Sequence, residues 1–282
     1  MVERRRFGNI LPHLILWIGI AIVAFPVYFA FVASTQDNVL IANGQMPLIP
    51  GSRALDNYYR TIFIGTTGST REPVATMLVN SFVMAMSIAC GKIAISILSA
   101  YAVVYFRFPF RMTAFWLIFI TLMLPVEVRI YPTYKVAADL HLLDTYAGLS
   151  IPLIASATAT LLFRQFFMTV PDELVEASRI DGAGPFRFFK DTLLPLSRTN
   201  MAALFVILFI YGWNQYLWPL LITTRDDTQT IVIGIRKMIT TSDALTDWPA
   251  VMATAMLAML PPVAVVVLMQ RLFVRGLIET EK

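Results

Sequence analysis

The chain has 282 residues, 57% of them hydrophobic and 14% charged, with a formal net charge of +4. Soluble domains carry about a quarter charged residues, so this composition belongs in a lipid bilayer. The small positive balance argues against nucleic acid as a partner, and a single cysteine, Cys90, excludes an intramolecular disulfide and a cysteine-cluster metal site.

The predicted elements are all helices. The chain reads as an all-α polytopic membrane protein, one transmembrane domain over residues 1–282, with six spans near 10–34, 74–106, 112–131, 146–168, 199–224 and 248–270. The first span is uncharged from Leu14 to Ala33, about the 20 residues that cross the hydrocarbon core. Arg4, Arg5 and Arg6 precede it as they would a secretory leader, but a leader's apolar run is only about 7–15 residues, so this one reads as a retained span. Residues 37–73 hold Pro47, Pro50, Gly51, Gly65 and Gly68 and read as an extramembrane loop with little regular structure.

The second span carries one charge, Lys92, and ends at the turn Arg107–Arg111. The third closes at Pro125, with Glu127 and Arg129 at its outer end. The fifth holds Asn214 and Gln215 mid-span. The sixth contains Pro261 and Pro262, tolerable where neighbouring helices satisfy the freed carbonyls. Trp218 and Trp248 read as interfacial anchors, and Cys90 as a small buried hydrophobe. With the N-terminus inside, most of the 22 lysines and arginines fall in inner segments, so both termini and the charged block 171–198 face the cytoplasm.

That block has helix punctuation. Pro171, Asp172 and Glu173 suit a helix start, and Leu174, Ala177 and Ser178 share one face. Gly182 and Gly184 can end the helix, Pro185 can start a second, and Pro195 marks the return to the membrane. The block reads either as a helical hairpin offered to a soluble partner or as a solvated loop that sets topology.

Lys92 faces either a path for an anion or a partner group on another helix, because charges inside a membrane are costly. Glu127 and Arg129 read as an internal ion pair, a contact for a binding protein or part of a solute entrance. Asn214 and Gln215 hydrogen-bond either neighbouring helices or a passing solute. Gly91-Lys92 lacks the glycine-rich loop of a nucleotide site, His13 and His141 fit no metal spacing, and no nucleophile–base arrangement stands out. The chain reads as a non-enzyme. A stand-alone ion-coupled transporter would show internal repeats and intramembrane acids, neither of which is clear.

Glu176-Ala177-Ser178, three residues, Gly182, nine residues, Thr192, then Leu194-Pro195 resembles the EAA loop of ABC-importer permeases. That loop reads Glu-Ala-Ala, three residues, Gly, nine residues, Ile, one residue, Leu-Pro; Ser178 and Thr192 depart from it. The stretches 122–132, 163–174 and 211–220 are similar to the maltose-type carbohydrate permease family, and within it to permeases for sn-glycerol-3-phosphate. The resemblance implies a type I ABC importer permease fold in the bacterial cytoplasmic membrane, set in membrane lipid. It implies a second homologous permease, a dimeric ABC ATPase that uses the ATP, and an extracytoplasmic solute-binding protein as partners, with no cofactor bound by this chain. By the same resemblance Glu176, Ala177, Ser178, Asp181, Gly182 and Pro195 couple to the ATPase. Lys92, Glu127, Arg129, Asn214 and Gln215 are the candidate path residues. The small-molecule solute implied is sn-glycerol-3-phosphate, with glycerophosphodiesters as relatives of it and a neutral sugar or polyol as the alternative.

Overall fold

The computed structural model describes residues 10–65, 72–121, 124–239 and 246–279. In chain order they form α1 (Ile10–Ser34), α2 (Asn38–Ala42), α3 (Ala54–Tyr59), α4 (Val74–Tyr105), α5 (Arg111–Ile120), α6 (Val126–Asp139), α7 (Tyr146–Ser150) and α8 (Ala157–Phe167). There follow α9 (Asp172–Ile180), α10 (Pro185–Phe188), α11 (Leu194–Leu196), α12 (Arg198–Trp213), α13 (Leu217–Ile222), α14 (Ile231–Ile239) and α15 (Trp248–Glu279). No strand occurs among the described residues. The chain divides into two compact units, Met1–Thr76 with Gly234–Leu260, and Met77–Ile233 with Pro261–Lys282.

In the first unit the segment after α1 is more ordered than its glycines and prolines suggest. It forms α2, α3 and a π turn, Arg60–Ile64. A buried amide organises it: the side chain of Asn57 donates to the carbonyls of Ser34 and Gln36, both at 2.9 Å. Buried polar groups need partners, and here the partners are the carbonyl at the end of α1 and one just past it. Arg60 pairs with Asp247 at 2.6 Å, and the Trp248 amide donates to Asn38 at 3.0 Å, which ties the start of α15 to the same segment. Arg4, Arg5, Arg6, Arg71 and Lys282, and the side chains of Arg271 and Arg275, lie outside the described residues.

Among the described residues, three helical stretches are long and apolar enough to cross a membrane alone: Pro12–Ser34, Val74–Tyr105 and Trp248–Gln270. The last is part of α15, which continues through Pro261 and Pro262 as one helix. The other expected spans are broken. The expected fourth, 146–168, bends by 50° between Tyr146–Leu153 and Ala157–Phe167. The segment Pro185–Leu196 bends by 70° into α12. The expected third span, 112–131, is the ten-residue α5, an interruption, and then α6. The expected fifth, 199–224, stops at Trp213 and resumes as α13.

The second unit packs around Met84, Ile88, Ala137, Leu149, Trp218 and Ile222. Trp218 is 3% exposed and its indole donates to the Gly148 carbonyl at 3.0 Å, so it is an internal strut and not an interfacial anchor. Gly212 lets α12 meet α4 closely: a Cβ there would stand 3.0 Å from the Ala85 Cα. Small residues at helix contacts are the usual means of close approach in membranes. Cys90 is exposed rather than buried and lines an apolar recess between α4 and α12.

Asp144 ties the turn between α6 and α7 to the segment after α13. Its backbone takes a left-handed φ of 54°, and its carboxylate accepts from the amides of Thr224 and Arg225 and from the hydroxyls of Thr224 and Thr228. Slight burial pushes its pKa up, but the hydrogen bonds, led by Thr224, outweigh this and hold it at about 2. A depressed folded pKa contributes stability above the unfolded value and loses it as pH falls through the folded one. The difference in thermal stability between the parent and Asp144→Asn in detergent should therefore be full above about pH 4 and shrink as pH falls toward 2. A difference that stays constant over that range would remove the charge from this account.

Candidate functional site

The block 171–198 folds as a helical hairpin. Pro171 caps α9, and Asp172 and Glu173 occupy its first turn, where the helix dipole favours acid. The helix ends in a Schellman motif: the Gly182 amide donates to Arg179 at 3.0 Å and the Ala183 amide to Ser178 at 2.9 Å. Gly182 has φ +71°, and a Cβ there would meet nothing within 4 Å, so the requirement for glycine is conformational and not spatial. Pro185 opens α10, a π turn covers Phe189–Leu193, and Pro195 lies in α11 just before the bend into α12.

Glu176, Ala177, Asp181, Gly182 and Pro195 are exposed, while Ser178 is half-buried. Two apolar side chains stand out at the tip: Ile180 is 86% exposed and Phe186 is 76% exposed. Their signal was available as apolar residues flanking the glycine turn. The opposite side of the hairpin is anchored to α4. Tyr101 donates to the Pro185 carbonyl at 2.8 Å, and its ring lies 5.0 Å from that of Phe189. Tyr105 donates to Phe167 at 3.3 Å and packs edge-on against Phe188 at 5.4 Å. A recess of about 350 Å³ lies between, lined by Tyr101, Tyr105, Arg107, Ser178, Arg179 and Phe188 among others.

Further along α4 lies a second feature, a cavity of about 610 Å³ walled by α4, α5, α6, α8 and α12. Lys92, Arg129, Ser99, Thr121, Ser156 and Tyr211 line it. Lys92 is 7% exposed, and its ammonium sits 3.9 Å from the centroid of the Tyr211 ring. Such a cation–π contact holds a charge by about 0.5–2 kcal/mol. Ser156 marks the break before α8: its hydroxyl accepts from the Ala159 amide, and its carbonyl accepts from Ser96 and Thr160. The hydroxyls satisfy backbone groups that the break frees.

Of the expected path residues, Lys92 and Arg129 are brought together here. Asn214 and Gln215 are not mid-helix and do not line the cavity: Asn214 is the exposed C-cap of α12, and the Gln215 side chain donates to the Tyr211 carbonyl at 3.2 Å. Glu127 falls within α6, but its side chain lies outside the described residues. Tyr211, one helical turn before Gln215, lines the cavity where that pair does not.

Residues 92–279 match the family described as "Binding-protein-dependent transport system inner membrane component". The chain belongs to that family. It is 62% identical, over the full length of both chains, to the sn-glycerol-3-phosphate transport system permease protein UgpE of Rhizobium meliloti (strain 1021). It is 61% identical to the protein of the same name from Brucella melitensis biotype 1 and 58% to that from Escherichia coli O157:H7, again over both full lengths. Its fold is similar to a chain of a bacterial ABC transporter involved in the import of the acidic polysaccharide alginate. The TM-score is 0.81 at 19% identity, covering 96% of this chain and 98% of that one. The fold is thus that of an ABC importer permease, and the chain is a transport permease.

The turn at Gly182 yields a direct expectation. Gly182→Val forces a β-branched residue to positive φ, at a local cost of about 1–2 kcal/mol. Trypsin should cut at Arg179 and Arg187 faster in inside-out vesicles of this variant than in the parent, at equal expression. Equal rates would show that the turn tolerates the side chain.

Proposed function

We propose that this chain is one of two permease subunits of an ATP-driven importer of sn-glycerol-3-phosphate. The observation that carries the reading is full-length similarity to permeases named for that solute. The cavity adds chemical support, with two cations and no carboxylate among its described lining residues.

In this reading the chain binds no cofactor, and ATP is hydrolysed by a dimeric ABC ATPase seated on the hairpin. Glu176 and Asp181 offer exposed carboxylates to the ATPase surface. Ile180 and Phe186 are the apolar knobs that enter its cleft, and Gly182 fixes the angle between the two helices. Movement of the hairpin passes to α4 through Tyr101 and Tyr105, because both tyrosines hydrogen-bond carbonyls on or beside it. α4 is a single helix that also carries Lys92, so displacement at its inner end reaches the cavity. A second, homologous permease completes the path, and an extracytoplasmic binding protein delivers solute to its outer mouth. Both termini lie in the cytoplasm of a bacterial cell, with the protein in the inner membrane.

Uptake by the reconstituted four-component importer would be measured with radiolabelled sn-glycerol-3-phosphate against maltose and glycerol. Preference for the phosphate ester is expected; preference for a neutral sugar would sink the substrate reading and leave the family intact. Tyr101→Phe keeps the ring packing and removes one hydrogen bond, worth about 1 kcal/mol. It should lower uptake several-fold more than it lowers ATP hydrolysis, and a proportional fall in both would argue against a transmission role. For orientation, a cysteine at Ser52 in a Cys90→Ala background should react with an impermeant maleimide on intact spheroplasts, and one at Lys190 only after permeabilisation. The reverse labelling would invert the topology.

A further inference from the structure

We propose that Lys92 and Arg129 form an anion site inside the permease itself, taking the phosphate end of the solute, so that charge is selected in the membrane path. The inference rests on the reading of sn-glycerol-3-phosphate as the solute and goes beyond it by locating recognition in this chain.

Lys92 lies past the midpoint of α4 and faces the cavity with almost no exposure. Among the described residues no carboxylate pairs with it. Its ammonium rests on the Tyr211 ring instead. A charge without a counter-ion in apolar surroundings is costly, and it usually marks a path or an absent partner. Arg129 lines the same cavity, and the two cations repel one another. The first turn of α8 forms another part of the wall, adding the positive end of a helix dipole. Ser99, Thr121 and Thr158 line it as well and bring hydroxyl donors.

Three sources of positive potential around one cavity suit an anion. A phosphate monoester carries about −1.5 to −2 charges near neutral pH, which matches two cations. It relieves both the repulsion between them and the cost of the buried ammonium. Lysine suits the inner position because its ammonium is a point charge on a flexible stem, able to leave the tyrosine ring for a phosphate oxygen. A neutral sugar offers no such exchange.

The test uses the complete importer with its partner permease, ATPase and binding protein, and radiolabelled sn-glycerol-3-phosphate as probe. Lys92→Gln should lower the maximal uptake rate roughly tenfold or more, with Lys92→Arg retaining most of it, because the site needs charge. Arg129→Gln should lower the maximal rate several-fold with little change in half-saturation, which the binding protein sets. Co-purification of the ATPase with each variant reports assembly. If Lys92→Gln fails to assemble, Arg129→Gln carries the test, and normal uptake by that assembled variant overturns the site. Uptake by an assembled Lys92→Gln variant close to that of the parent also overturns it. So does restoration of Lys92→Gln uptake by Glu127→Gln, which would mark Lys92 as one half of an internal ion pair. A parent importer that prefers maltose fails at the earlier step, and the substrate reading falls instead of the geometry.

Discussion

A backbone amide or carbonyl in an apolar medium must find a hydrogen bond, and this constraint arranges the second unit. Long helices satisfy it automatically, and α4 does so over its whole length. Yet the chain interrupts its helices between Ile120 and Val126, between Leu153 and Ala157, and between Trp213 and Leu217. Irregular backbone at membrane depth is tolerated where it is buried in protein or lines a cavity. The first two interruptions border the same cavity, through Thr121, Leu124 and Pro125 on one side and Ala155 and Ser156 on the other. The third follows Tyr211, which also lines it. The first two breaks and the cavity are therefore one feature: those breaks supply polar groups to the wall, and the cavity makes them affordable.

α4 gives that feature a mechanical connection. Its C-terminal end is held to the hairpin by the Tyr101 hydroxyl and by ring contacts with Phe188 and Phe189, and to α8 by the Tyr105 hydroxyl and its ring contact with Phe167. Its middle presents Lys92 to the cavity, and Gly212 of α12 packs against Ala85 on its N-terminal half. Packed interiors resist compression and transmit displacement. A shift of the hairpin thus has a stiff route to the cavity wall, with no need for a chain of independent side-chain switches.

The hairpin was legible almost residue by residue, because helix punctuation is local chemistry. Proline at a start, acids in a first turn and glycine at a left-handed C′ position act within a few residues of themselves. The cavity was legible only in part. Lys92 stood out as a lone charge in an apolar run, but Tyr211 gave no signal, because its role comes from a ring meeting an ammonium on another helix. Asn214 and Gln215 misled for a related reason. Two amides between aromatics look like polar groups inside a span, whereas they mark where the span stops. Trp218 looked like an interfacial anchor until its indole was seen to reach Gly148, 70 residues away in sequence. The segment after α1 hid its order behind glycines and prolines, since a buried Asn57 organises it by long-range bonds that no local pattern encodes.

The partner chosen for Lys92 bears on how a path can bind and still release. A carboxylate beside it would neutralise the charge and compete with any incoming anion. Separating a buried pair of that kind costs several kcal/mol, about 3–5 when one partner is removed. An aromatic face holds the ammonium by only about 0.5–2 kcal/mol and offers no hydrogen-bond acceptor of carboxylate strength. The lysine is thus kept in place and kept hungry for an acceptor. Conduction needs binding strong enough to admit a solute and weak enough to let it go. A second cation that repels the first steepens the gain on anion entry and also limits how long either cation holds it alone. In the proposed importer Tyr211 and Arg129 would together set that balance, while the hairpin, anchored to the same α4, would govern when the wall moves.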